Sequence, residues 1–120
     1  MKKYSFLSLI GIVFITFSCV NDTESDIIAD TTLGTITYAN TIKSIIDNNC
    51  ISCHANTPTN GASISLITLQ NVKNGILNNQ LIEKISKTQG AEGMMPYGGT
   101  RLPQSKIDQI ISWKNTGFTQ

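Results

Sequence analysis

Within a chain of 120 residues, Cys50-Ile51-Ser52-Cys53-His54 narrows the outcome more than any other stretch, because it holds two of the three cysteines and the only histidine. An odd number of cysteines forms no closed set of intrachain disulfides, so at least one sulfur has other work. A structural zinc site takes four thiolate or imidazole ligands. With Cys19 remote, the motif supplies three, all inside five residues. A thioredoxin-like pair follows a strand in a βαβ setting, whereas Ile42, Ile45 and Ile46 precede this motif at helical spacing. A disulfide between Cys50 and Cys53 closes too small a loop to stabilise a core.

The spacing suits another chemistry. Residues three apart on a helix project from nearly the same face, so Cys50 and Cys53 are placed to form thioethers with the two vinyl groups of one haem. His54 follows directly and brings a ring nitrogen to the iron. The cofactor expected is one covalent haem c. A second histidine ligand is excluded, and after Met1 the only methionines are Met94 and Met95. A thioether suits the second axial position. Met95 is the expected ligand, because Pro96 fixes its own φ, lacks an N–H and holds the loop in an extended path across the haem. Met94 is the alternative ligand and otherwise fills a gap in the core. With both axial positions filled, the iron suits electron transfer rather than substrate binding. The carboxylates Asp47, Glu83, Glu92 and Asp108 form no recognisable acid/base pair, so no catalytic residue is assigned.

The N-terminus reads as an address. Lys2 and Lys3 precede an apolar run from Phe6 to Phe17 that ends at Ser18-Cys19, the layout of a secretory signal over residues 1–18. About a dozen apolar residues are too few for the roughly 20 a spanning helix needs. Thr16-Phe17-Ser18-Cys19 resembles a bacterial lipobox, in which Cys19 carries the lipid and anchors the chain to a membrane. A plain signal peptide with an incidental cysteine is the competing account. Residues 19–37 hold Asp22, Glu24, Asp26 and Asp30 among small polar residues and read as a tether. Of the nine basic residues two fall in the signal, which leaves seven against eight acidic ones and no field for nucleic acid.

From residue 38 to 120 a single domain is expected, all-α, with three to five helices. The first runs through Ile42, Ile45 and Ile46 into the motif, with Thr41 or Asn40 as its cap. Pro58 and Gly61 mark a loop, and Thr68 opens a segment with Leu69, Val72, Ile76 and Leu77, interrupted by Gly75. A short stretch holds Leu81, Ile82 and Ile85, and glycines and prolines make 90–102 irregular. The last helix begins near Pro103, groups Ile107, Ile110, Ile111 and Lys114 on one side with Trp113 adjoining, and stops at Gly117. Trp113 and Tyr97 read first as core residues. The porphyrin is itself the largest apolar object in so small a domain, so the fold is expected to depend on it.

Tyr38, Ile42, Ile45, the Cys50–His54 motif, Met95-Pro96-Tyr97-Gly98-Gly99, Leu102, Ile107, Ile110, Ile111, Trp113 and Gly117 together resemble the class I cytochrome c domain in its short bacterial versions. Tyr97 stands where a second proline is frequent, and Met94-Met95 is doubled. The resemblance implies one haem between N- and C-terminal helices that cross. It also implies export, since haem is attached outside the cytoplasm. The expected function is single-electron transfer between redox protein partners on the periplasmic side of a membrane or at the cell surface. A peroxidase-like enzyme with a displaced Met95 and a cytochrome subunit of a larger oxidoreductase complex are the alternatives.

Overall fold

A computed structural model describes residues 34–120. The expected signal segment, Cys19 and most of the tether lie outside the described residues. A π-helical turn, Tyr38–Ile42, runs directly into α1 (Lys43–Asn49), followed by α2 (Leu69–Asn78), α3 (Leu81–Ser86) and α4 (Gln104–Asn115). No strand occurs among the described residues, and none of their helices is long and apolar enough to cross a membrane. The class is all-α, as expected.

The first helix starts earlier than its apolar spacing suggests. Its cap is Thr37, not Thr41 or Asn40: Thr37 Oγ1 accepts the Asn40 N–H at 3.2 Å, and Asn40 Oδ1 accepts the Thr37 N–H at 2.9 Å. This reciprocal pair satisfies two backbone donors that a helix start leaves unpaired. Thr119 Oγ1 donates to Ile36 O at 3.2 Å, and Ile36 packs against the core. Residues 35–37, read as tether, therefore belong to the folded unit.

One apolar core joins all the helices, and Ile42, Ile46, Val72, Ile107, Ile110 and Trp113 are its fully buried members. Burying each such side chain is worth roughly 1.5–3 kcal/mol. α2 packs on α3 and α3 on α4, while the N-terminal helix meets α4 through its π-helical turn. At that junction the Trp113 ring lies 5.8 Å from Tyr38 and 4.9 Å, edge-on, from Phe118. Thr119 O accepts both the Tyr38 N–H at 2.9 Å and Trp113 Nε1–H at 2.7 Å. Trp113 is a core residue, as expected, in the buried stripe with Ile107 and Ile110, whereas Lys114, which the spacing groups with them, is exposed.

The helix ends follow local chemistry. Thr68 caps α2 by accepting the Asn71 N–H at 3.1 Å. After α4, Phe118 N–H donates to Trp113 O at 2.9 Å and Gly117 N–H to Lys114 O at 3.2 Å. That is the Schellman pattern, with Gly117 in the left-handed conformation it requires (φ 84°). Gly75 sits mid-helix because a Cβ there would stand 3.1 Å from both Leu66 and Leu81, so its absence lets α2 approach them.

Candidate functional site

The motif lies one step past α1. Cys50 N–H still donates to Ile46 O at 2.8 Å, but the Cys50 backbone leaves the helix (φ −124°) and the next residues form turns. The expectation of a shared helical face is corrected accordingly. Instead, a single acceptor gathers the motif: Cys50 O takes the Cys53 N–H at 3.2 Å and the His54 N–H at 2.9 Å. His54 is fixed from the following loop, whose Leu66 N–H donates to His54 O at 2.8 Å. Its Nδ1 stands 2.7 Å from Ile64 O. A carbonyl only accepts, so the pairing places the proton on Nδ1 and leaves the Nε2 lone pair for a metal.

Both thiols are free, and burial pushes the Cys50 thiol up to about 11. A raised thiol pKa is the opposite of what a thiol–disulfide catalyst arranges. Among the described residues no three His, Cys, Asp or Glu side chains come together to hold a metal. The zinc and redox-pair accounts of the motif therefore have no support in the geometry.

Cys50, Cys53, His54 and Met95 all line one cleft of about 1290 Å³, together with the apolar side chains of Leu66, Leu81, Ile85 and Leu102. That exceeds the roughly 300–1,000 Å³ of ordinary small-molecule sites. Lys84 is its only lysine, arginine or carboxylate side chain. Met94 does not reach this cleft: it is 4% exposed and lines a separate hollow of about 500 Å³ beneath residues 89–99. The Met95 loop does not run extended, as Pro96 suggested. Met95 N–H donates to Lys84 O at 3.1 Å, and the chain then turns so that Gly99 N–H meets Pro96 O at 3.2 Å, with Gly98 at φ 69°. Tyr97 at the tip of this turn is 81% exposed, not core.

A family model for the cytochrome c oxidase, cbb3-type, subunit III matches residues 38–113. The chain belongs to this family. No curated protein and no solved structure matches it. The match spans the motif, the Met95 loop and α4 as far as Trp113. The chain therefore contains a class I c-type cytochrome domain whose cofactor is a covalently bound c-type haem and whose chemistry is haem-based electron transfer. Cytochrome c domains of this type are typically exported.

The residues fit that group. A wide cleft with apolar walls, two free thiols at its edge, an imidazole oriented through Nδ1 and a thioether in the same space form the donor set a cytochrome c domain needs. Sequence reasoning missed the residues that organise this set through others. Ile64 orients His54 with a backbone carbonyl, which no side-chain pattern signals. Asn60 Nδ2 lies 3.5 Å from Cys53 Sγ, and Arg101 and Gln89 tie the two ends of the Met95 loop. The bonds that join Asn60 to Cys53 and Arg101 to Gln89, Lys87 and Ser86 span seven to fifteen residues, so local spacing is silent about them.

Proposed function

We propose that the protein is a monohaem electron carrier in which Cys50 and Cys53 would hold the haem through thioethers, each S–H adding across one vinyl group, and His54 Nε2 and the Met95 sulfur would hold its iron. The observation that carries this reading is that Met95, and not Met94, shares the cleft with the motif. When bound, the haem supplies a one-electron iron couple. The work of the chain is then to keep both axial ligands in place in either oxidation state. Ile64 O holds the His54 ring, and the pairing of Met95 N–H with Lys84 O holds the other side. With both His54 and Met95 engaged, the iron would have no place open to a substrate. The carrier works outside the cytoplasm between redox protein partners, and Cys19 is its lipid attachment to a membrane.

A subunit role in a larger oxidoreductase is the second reading. It is favoured by the family description and by Tyr97, which stands exposed beside Pro96 at the cleft. The test is a redox titration of the holoprotein combined with carbon monoxide mixing. A reversible one-electron couple with no rapid carbon monoxide binding supports a carrier. Rapid binding or peroxide turnover points to an enzyme with Met95 displaced. Co-purification with a membrane oxidase favours the subunit.

A further inference from the structure

Residues 87–101 carry Met95 and contain no helix, and one side-chain network draws their ends together. Arg101 Nε donates to Lys87 O at 2.9 Å, Nη1 to Leu102 O at 3.2 Å, and Nη2 to Ser86 O at 3.4 Å and to Gln104 Oε1 at 2.7 Å. Gln89 closes a second rung: its Oε1 accepts the Arg101 N–H at 2.7 Å and its Nε2 donates to Gly99 O at 3.1 Å. Ser86 ends α3, where the last carbonyls lack helical partners and the dipole is negative, so a guanidinium suits the place. The single ion pair among the described residues is Lys43–Asp47, so Arg101 directs its planar fork at carbonyls and an amide oxygen rather than at a carboxylate.

We infer that the Arg101–Gln89 clasp is a positioning device that holds Met95 at the haem cleft and sets how readily Met95 yields to an exogenous iron ligand. The inference rests on the Met95 ligation proposed above. Neither Arg101 nor Gln89 lines the cleft, so both act through the loop. Between the clasped ends, Met95 N–H has one backbone partner, Lys84 O, and Met94 is the buried anchor. Opening the clasp raises the population of loops with Met95 withdrawn, and the apparent affinity of an incoming ligand rises with that population.

Imidazole titration of the oxidised holoprotein, followed at the far-red band of the thioether–iron bond, tests this. Arg101→Gln is expected to tighten apparent imidazole binding about tenfold, the equivalent of one hydrogen bond to a charged group, with covalent haem unchanged. Arg101→Lys keeps the charge but not the fork, so the tightening persists. Thr37→Ala removes the cap of the N-terminal helix and lowers thermal stability without moving imidazole affinity, which separates positioning from general loosening. Gln89→Ala removes only the second rung and shows the same direction more weakly, which keeps the test available if Arg101→Gln fails to accumulate haem. Unchanged affinity in Arg101→Gln and Gln89→Ala, full recovery in Arg101→Lys, or equal tightening in Thr37→Ala overturns the inference. Met95→Ala locates the fault. If it binds imidazole no more tightly than the wild type, Met95 ligation itself fails. If it binds far more tightly while the clasp variants do not, only the clasp fails.

Discussion

The Cys50–His54 motif and the Met95 loop line the same cleft, yet a single carbonyl, Cys50 O, gathers the first within four residues, whereas side chains bonded across as many as fifteen residues close the second. The motif side is closed by its own short-range backbone bonds, and the loop that follows aims His54 and also holds Cys53 through Thr59 N–H and Asn60. The methionine side has short local turns at Thr88–Ala91, Ala91–Met94 and after Pro96, and takes its position in the fold from α3 and from the start of α4. With the attachment proposed above, one wall of the cleft would be fixed covalently and the other held by hydrogen bonds. Loss of ligation is therefore expected to begin at Met95.

The largest expected effect comes from removing the motif side. A Cys50→Ala, Cys53→Ala variant has no thiol for attachment, and Leu66, Leu81, Ile85 and Leu102 are left lining an open cleft. Loss of covalent haem and collapse of the helical circular dichroism are expected together. Helicity retained undiminished without haem would break the claim that the cofactor is part of the core.

Next in size is Trp113→Ala, which strikes the junction that both sides depend on. Trp113 is 0% exposed, with its ring against Tyr38 and Phe118. A loss of about 3–5 kcal/mol is expected from denaturant unfolding of the holoprotein. A loss below about 1 kcal/mol would mean that the helices are held chiefly through the haem. The smallest effect is that of Thr37→Ala, about 1 kcal/mol for a lost helix cap, measured in the same way. No change at all would place residues 35–37 back in the tether.

Much of this architecture is legible in the residues. α2 and α4 follow from apolar positions at helical spacing, and Thr68, Pro103 and Gly117 mark boundaries as their chemistry dictates. The Thr37 cap leaves a weak signal because its reciprocal partner is Asn40 rather than the Glu or Gln of the usual capping box, and because Thr35, Thr37 and Thr41 are equivalent by residue type. The register at the end of α4 turned on tertiary contact. Residues three and four places after Ile110 both lie near the apolar stripe, and Trp113 takes the core because Tyr38 and Phe118 pack against its ring. The choice between Met94 and Met95 rested on a neighbouring proline. In the fold it rests on two different hollows, one beneath the loop and one at the motif. Arg101 leaves no trace in the local pattern, since the contacts by which it closes the loop are to the backbone oxygens of Ser86 and Lys87, fifteen and fourteen residues away.

The central claim, that the motif and Met95 face one another across one haem, is tested most directly by oxidised optical spectra of the holoprotein, of Met95→Ala and of Met94→Leu. The account predicts a low-spin spectrum with the far-red thioether band in the wild type and in Met94→Leu, and loss of that band in Met95→Ala with the haem still covalently attached. A band that survives Met95→Ala, or disappears in Met94→Leu, would contradict it.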